Sequence, residues 1–418
     1  MDADVNKGKA AEDRLHLSAK RSFFSDFVFR TPLYRKGSGI REAGDALVWL
    51  DEDLIIFQSK ARSLSTRDLC LPYSGREMNW ATKNLRKAIR QLDGTRRALM
   101  DRQVKTLVNE RRGEVEFEPT TVRRVHGVVI MAQMVNFYDP LPLFPKRNGA
   151  DLAVHVFTLS EWPKICSEFS TTPDFVAYLR FRERLIGRMP LLVGREKDLV
   201  AWYILQKREP KELDQIPDIA GLGDWFGENF ENELAARKHE DRWSLLIDDV
   251  IDHLHDADPM MKDLVDFPKS GPQDYSYTAM ELSKLTRLER RMVGRKFADK
   301  IRLAGEGDCL RYFASLGQAD LGVLVLASPE PREKRVRHLA VLSAMAKHQL
   351  KVTTMVGIAT EAGFGRGRSY DTCYLKFPWR EDVESDRNSA GLFSEPQHSQ
   401  ETEFPDMTDV STGAPVYS

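Results

Sequence analysis

Two apolar runs joined by an acidic turn, within residues 45–60, constrain the fold of this chain more than any other feature. The runs are Ala46–Leu50 and Leu54–Phe57, and the turn between them is Asp51–Asp53. Apolar runs of this length around a polar turn predict a tight β-hairpin. Because both runs are continuously apolar and do not alternate with polar residues, we expect strands that are covered on both faces. This pattern favours the α/β class.

Further elements are predicted on both sides of the hairpin. In chain order they are a helix at residues 8–22, a strand at Ser25–Arg30, the two hairpin strands, a helix at Trp80–Met100, a strand at Val122–Gln133 and a further strand at Asp151–Ser160. The hairpin strands are Asp45–Leu50 and Leu54–Lys60, and the first six elements follow the order helix, three strands, helix, strand. A flexible turn is expected at Lys36–Ile40.

Composition predicts a division of the remaining chain. The predicted parts are an N-terminal domain at 1–160, a mainly helical region at 161–265, a linker at 266–276, a smaller C-terminal α/β domain at 277–380 and an acidic disordered tail at 381–418. In the C-terminal domain we expect a helix at Ala279–Leu303, a short helix near Cys309–Leu316, the apolar run Leu321–Ala327, a helix at Arg332–Gln349 and strands at Lys351–Ala359 and Ser369–Lys376.

Charge is distributed unevenly although the formal net charge is −1. The tail at 381–418 holds nine acidic residues against one basic residue, whereas residues 1–100 hold 19 Lys and Arg against 13 Asp and Glu. This asymmetry is compatible with a nucleic-acid partner, and equally with an ordinary charged surface.

Several protein classes are disfavoured by composition. The four cysteines are far apart, which argues against a disulfide scaffold and a structural zinc site. The apolar runs are too short to cross a bilayer, and the first twenty residues are polar. We therefore expect a cytoplasmic protein without a membrane partner.

Three polar residues stand at the open end of the predicted hairpin. If the turn centres on Asp51–Asp53, Asp45 lies opposite Gln58 or Ser59. Side chains alternate along a strand, so Gln58 and Lys60 share one face and Ser59 points away from it. A carboxylate, an amide and an ammonium group thus converge, which is costly unless they are solvated, paired or bound to a cation.

Glu12 is a candidate second carboxylate. It shares a helical stripe with Leu15, Ala19 and Phe23, which should pack inward. Two interpretations remain open: Glu12 shares a metal ion with Asp45, or it is a partly exposed acid stabilised by the helix N-terminus.

The order of elements, with Glu12 in the first helix, Asp45 on the second strand and Gln58-Ser59-Lys60 on the third, resembles the PD-(D/E)xK restriction-endonuclease-like superfamily. The QxK form resembles its Mrr-type branch, and the resemblance covers about residues 8–133. It implies an αβββαβ core and hydrolysis of phosphodiester bonds, most often of DNA, with Mg²⁺ or Mn²⁺. It further implies catalytic roles for Asp45, Gln58, Lys60 and Glu12.

The same resemblance implies that Asp45, Gln58 and Glu12 are the metal ligands and that Lys60 positions water or stabilises the phosphorane. Oxygen donors of this kind suit Mg²⁺. Gln58 is neutral where the family usually has an acid, so the site has one negative charge fewer. Either Glu12 compensates, or the metal binds weakly, or the site is inactive.

The predicted helix Trp80–Met100 has an apolar stripe and an opposite basic row. The row consists of Lys83, Arg86, Lys87, Arg90 and Arg97. Such a row would bind phosphates with little sequence preference. The alternative is a solvated charged face.

Three function classes therefore remain open. The first is a metal-dependent nuclease, by analogy in a restriction or defence context, for which cutting both strands of a duplex favours a homodimer. The second is a catalytically inactive nucleic-acid-binding module, and the third is a protein–protein adaptor. The Gly-rich stretch 363–367 is interpreted as a hairpin loop, and His126, His155, His253 and His255 as structural or surface residues.

Overall fold

The computed structural model describes a mixed α/β protein that divides into two units. The described residues are 13, 15–30, 33–36, 39–42, 44–61, 75–131, 152–185, 196–208, 219–254, 272–304, 310–316, 320–363 and 368–381. One unit comprises Met1–Glu231 with Ala414–Ser418, and the other comprises Asn232–Gly413. None of the described helices is long and apolar enough to span a bilayer. The predicted tail, apart from residue 381, lies outside the described residues.

In the N-terminal unit, one α-helix precedes the strands, a second α-helix lies among them, and four described α-helices follow the last strand. Its elements are α1 (residues 15–23), β1 (Val28–Phe29), β2 (Leu33–Lys36), β3 (Gly39–Glu42), β4 (Ala46–Leu50), β5 (Asp53–Lys60), α2 (Gly75–Met100), β6 (Thr106–Asn109), β7 (Gly113–Glu116), β8 (Arg124–Met131), β9 (Ala153–Thr158), α3 (Trp162–Glu168), α4 (Thr172–Leu185), α5 (Glu196–Leu205) and α6 (Leu222–Asn229). The predicted hairpin strands and the helix that follows them are confirmed.

The main sheet of this unit has the strand order β1-β4-β5-β8-β9. β1, β4 and β5 are antiparallel neighbours, and β5, β8 and β9 run parallel. Parallel neighbours require a crossover, which α2 supplies between β5 and β8. α2 packs closely on β5 and β8. A Cβ atom added to Gly127 of β8 would lie only 3.0 Å from Leu92 Cδ1 of α2.

Helices on the opposite face complete the core. Phe23 of α1 packs against Phe57 of β5 and Phe175 of α4, with ring centroids 6.3 and 5.1 Å apart. All three side chains are fully buried, and burial of each contributes about 1.5–3 kcal/mol. The sheet is thus covered on both faces, as the unbroken apolar runs predict.

Two small hairpins were not predicted. β2 and β3 pair around the expected turn at Lys36–Ile40, and β6 pairs with β7. The side-chain amide of Asn109 explains the second hairpin, since it donates to the backbone oxygens of Ser25 and Val28 at 2.7 and 2.8 Å. Its oxygen accepts from the backbone N–H groups of the turn that follows.

The C-terminal unit is built on a second, four-stranded sheet. Its elements are α7 (Glu231–Asp241), α8 (Ser244–His253), α9 (Pro272–Ser283), α10 (Arg287–Ala304), β10 (Leu310–Leu316), β11 (Leu321–Ser328), α11 (Arg332–Leu350), β12 (Thr354–Glu361) and β13 (Asp371–Lys376). The strand order is β10-β11-β12-β13, with only the central pair β11–β12 parallel. α11 is the crossover between these parallel strands.

Two predictions in this unit are wrong. The segment near Cys309–Leu316 is a strand, β10, because it pairs with β11 along its whole length. The single helix expected at Ala279–Leu303 is two helices, and the second begins with a capping box: Thr286 N donates to Glu289 Oε2 at 2.8 Å and Glu289 N donates to Thr286 Oγ1 at 3.3 Å. α9 begins within the stretch predicted as a linker.

Candidate active site and basic helix

A two-residue turn sets the register of the β4–β5 hairpin. Asp51 takes the left-handed conformation with φ 54°, and Trp49 Nε1 donates to the Asp51 carbonyl oxygen at 3.0 Å. The ladder runs from the pair Leu50 and Asp53 to the pair Ala46 and Phe57. Extending it by one residue places Asp45 opposite Gln58, which is one of the two partners that the sequence left open.

Two N–H donors hold the carboxylate of Asp45. Gln58 Nε2 donates to Asp45 Oδ1 at 2.5 Å, and Ser59 N donates to Asp45 Oδ2 at 2.5 Å. The backbone N–H of Asp45 donates to the Phe57 oxygen at 2.9 Å. Gln58 is buried with 4 % exposure, whereas Asp45 is half-buried. The carboxylate is therefore oriented by short, directed bonds near the protein surface.

Gly44 makes this approach possible. Its φ is +81°, a conformation that L side chains rarely adopt. A Cβ there would also lie 3.2 Å from the Phe57 oxygen and 3.3 Å from Ile56 Cγ2. The glycine before Asp45 is thus required by both backbone conformation and space.

Lys60 lies at the same end of the hairpin. It is the last residue of β5, half-buried, and its Nζ donates to the Ser59 carbonyl oxygen at 2.9 Å. Gln58 and Lys60 are two residues apart and so share a face of the strand. The structure thus brings Asp45 and Gln58 into contact and places Lys60 two residues after Gln58, at the same end of β5.

This trio lies on the face of the sheet that α2 covers. Ile56 pairs with Gly127, against which Leu92 of α2 packs, and Gln58 follows Ile56 by two residues. Phe57 points to the other face, onto α1. Glu12 lies outside the described residues, so the fourth predicted group has no place in this geometry.

The side-chain oxygens of Asp45 and Gln58 are ligands that suit a hard divalent cation. Asp45 supplies two carboxylate oxygens, which accept from Gln58 Nε2 and from Ser59 N. Gln58 adds an amide oxygen. Among the described residues no group of three or more His, Cys, Asp or Glu could hold a metal ion. A cation at Asp45 and Gln58 would therefore keep most of its coordinated waters, as Mg²⁺ does.

The basic row of α2 is exposed along its length. Leu85, Ala88, Leu92 and Leu99 are buried against the sheet and Ile89 is half-buried, which confirms the predicted amphipathic helix. Within the described part of the chain, four of the five cations form no ion pair: Lys83, Arg86, Lys87 and Arg90. Arg97 pairs with Asp93 at 2.9 Å.

The C-terminal unit contains a cluster of charged residues, Asp371, Arg332 and Arg335, that was not predicted. Asp371, 5 % exposed, accepts from Arg332 Nε at 2.6 Å and from Arg335 Nε at 2.8 Å. Arg335 also donates to Ser369 Oγ at 3.2 Å. These bonds fasten the start of β13 to the first turn of α11. Most of the Gly-rich stretch predicted as a hairpin loop, residues 364–367, lies outside the described residues.

Other reactive residue types are in inert surroundings. Burial raises the pKa of the Cys166 thiol to about 12, so this cysteine is not a nucleophile. His126 and His155 are buried, His253 is exposed, and His255 lies outside the described residues.

Comparison of the chain with protein-family models, with curated protein sequences and with solved structures finds no match.

Proposed function

We propose that the N-terminal unit is a Mg²⁺-dependent nuclease that hydrolyses phosphodiester bonds, with DNA as the expected substrate. The observation that carries this proposal is the convergence of Asp45, Gln58 and Lys60 at one end of the β4–β5 hairpin, on one face of the sheet. A carboxylate, an amide oxygen and an ammonium group beside each other provide cation binding and a positive charge for a phosphoryl group.

The order of elements supports the same proposal. α1, β1, β4, β5, α2 and β8 follow one another as helix, three strands, helix and strand. This is the αβββαβ order that the restriction-endonuclease-like resemblance implies. The hairpins β2–β3 and β6–β7 are then insertions into that order.

Each residue has a separate role in the proposed reaction. Asp45, fixed by the Gln58 amide and the Ser59 N–H, would hold the metal together with Gln58 and, as the resemblance implies, Glu12. A bound Mg²⁺ lowers the pKa of its water and offsets charge on the phosphoryl oxygens. Lys60 would orient the attacking water or stabilise the negative charge that builds on the phosphoryl group.

The α2 surface supports a nucleic-acid substrate. Lys83, Arg86, Lys87 and Arg90 span about 10 Å at 1.5 Å per residue. Exposed cations without acidic partners bind phosphates at a lower desolvation cost than ion-paired cations. Because α2 covers the sheet face that carries Gln58 and Lys60, this row belongs to the same layer of the unit.

A catalytically silent nucleic-acid-binding module is the second candidate. The Gln58 amide nitrogen already satisfies one oxygen of Asp45, and the described part of the site contains one carboxylate. On this alternative, α2 binds the backbone and the trio only stabilises the hairpin end.

Cleavage assays separate the candidates. Purified full-length protein is incubated with plasmid DNA and with RNA in Mg²⁺ or Mn²⁺. We expect Asp45→Asn and Lys60→Met to lower the cleavage rate by about 100-fold or more, as loss of a preorganised charged group does. Ser59→Ala is the matched control, because this side chain points to the opposite face and its backbone bonds remain; it should cleave at the wild-type rate.

The remaining outcomes are equally informative. If wild-type protein cuts neither DNA nor RNA with either metal, the nuclease proposal is wrong. Salt-sensitive DNA binding without cleavage, unchanged by Asp45→Asn, would establish the silent module. Absence of any nucleic-acid affinity would leave the adaptor interpretation.

A further inference from the structure

Two buried histidines lie side by side on neighbouring strands of the N-terminal sheet. His126 is on β8 and His155 on β9, and their ring centroids are 5.8 Å apart. His126 is 3 % exposed and His155 is 1 % exposed. Among the described strands, β9 is the last in the sheet order, and its pairing partner is β8.

Neither imidazole has a hydrogen-bond partner. Among the described residues, Nδ1 and Nε2 of both rings are buried without a donor or acceptor. The Nε atoms of Arg180 and Arg182 are also buried without a hydrogen-bond partner among the described residues. A protonated imidazole would therefore bring a positive charge into a region without an acceptor for it, which is costly.

The charged groups that face the pair do not offset this cost. His126 is influenced by Asp53 of β5, Arg124 of β8 and Arg180 of α4. Asp53 already binds Arg124 at 2.7 Å and Arg180 at 3.3 Å. Asp53 favours protonation of His126, whereas Arg124 and Arg180 disfavour it. Glu52 also pairs with Arg124. Burial, and not an excess of positive charge, therefore sets the cost.

His155 is in a still less favourable position. Arg182 of α4 and His126 both disfavour its protonation, and Arg182 is itself paired with the buried Glu196. Burial lowers the pKa of His126 to about 4 and that of His155 well below 6.5.

We propose that the His126–His155 pair makes the β8–β9 edge of the N-terminal sheet acid-labile, so that mild acid opens this edge while the C-terminal unit stays folded. The inference is independent of the nuclease proposal. Both histidines are neutral in the folded state and take up protons when β9 and α4 separate from β8. The unfolded imidazoles bind protons below about pH 6.5. The folded His126 does not do so until about pH 4, and burial holds the pKa of the folded His155 well below 6.5.

The direction of the pH effect follows from this difference. The β8–β9 edge has its full stability above about pH 6.5 and loses stability as the pH falls below that value. The reason is that the open state binds more protons than the closed state. For each pH unit below about 6.5, one such histidine raises the equilibrium constant for opening of the sheet edge by up to about tenfold. The two histidines together therefore raise it by up to about 100-fold per pH unit.

Amide hydrogen exchange at pH 7.5 and pH 5.5, corrected for intrinsic rates, tests the proposal. In the full-length wild type, we expect protection of residues 124–131 and 153–158 to fall by about 10- to 100-fold at pH 5.5. Protection of β11 in the C-terminal unit should change by less than about threefold. The double variant His126→Gln/His155→Gln should lose most of this pH dependence, whatever its absolute stability, and His239→Gln, at an exposed histidine, should retain it.

Two results would overturn the inference. One is equal protection of β8 and β9 at both pH values in the wild type. The other is an NMR titration of the folded wild type in which either ring takes up its proton near pH 6.5. The second measurement needs no variant, so the proposal stays testable if the double variant does not fold.

Discussion

The two sheets of this protein hold acidic side chains at their strand ends in different ways. In the N-terminal unit, neutral N–H groups of Gln58 and Ser59 orient Asp45. In the C-terminal unit, the guanidinium groups of Arg332 and Arg335 bind Asp371. Neutral donors orient a carboxylate without adding a charge of their own, whereas guanidinium groups bring a positive charge that cancels it. The first arrangement is suited to attracting a cation and the second to fastening a loop.

The largest effect expected from this comparison is on stability. Asp371→Asn removes the nearer counter-charge of the buried Arg335, whose other acidic neighbour, Glu361, is 4.0 Å away. It should lower the free energy of unfolding of the C-terminal unit by about 3–5 kcal/mol. Asp45→Asn is the matched control, since its amide still accepts one N–H bond; we expect a loss of about 1 kcal/mol. Chemical denaturation followed separately in each unit measures both. Equal losses would remove the distinction between the two acids.

A second difference concerns the crossover helices. α2 presents exposed cations without ion pairs among the described residues, whereas Arg332 of α11 is bound to Asp371. The double variant Arg86→Gln/Lys87→Gln should reduce the salt dependence of DNA binding by a slope of about 1.8. Fluorescence anisotropy against salt concentration measures the slope.

The matched control lies on α11. Lys334 and Arg337 are exposed, carry the same charges and lie on the outer side of the corresponding helix. Lys334→Gln/Arg337→Gln should leave the slope unchanged. Equal reductions by both pairs would mean that any exposed cation of the protein contributes, and that α2 has no special part.

The smallest effect compares two glycines with positive φ. Gly44 precedes Asp45 with φ +81°, and Gly363 follows β12 with φ +73°. Replacement by Ala costs about 1 kcal/mol at either position through the left-handed backbone alone. Only at Gly44 does the new Cβ meet close neighbours, so Gly44→Ala should lose about 1 kcal/mol more in thermal unfolding. Equal shifts in Tm would show that the neighbours of Gly44 move aside without cost.

Local sequence patterns predicted the β4–β5 hairpin and the polar residues at its open end. Turn position and strand period narrow the partner of Asp45 to Gln58 or Ser59, and the buried and exposed faces of α2 follow from helical spacing. The Thr286–Glu289 capping box was also present in the sequence, as a Thr followed three residues later by a Glu, and would have separated α9 from α10.

Other features depend on pairing between distant segments. Seven residues at Leu310–Leu316 fit a helix or a strand equally by pattern, and only the partner β11 decides. The contact of Arg335 with Asp371 joins residues 36 apart. The His126–His155 pair requires the β8–β9 register. No local propensity contains this information.

The polar trio is built within one short stretch of chain, and this has a consequence for how the protein folds. Asp45 and Gln58 are 13 residues apart, so bringing them together costs little loop-closure entropy. The sheet that buries them needs β5 to meet β8, and its first pair, Asp53 and Arg124, joins residues 71 apart in the chain. We therefore expect the hairpin to form within microseconds, and its charged end to remain in water until the slower parallel pairing encloses it.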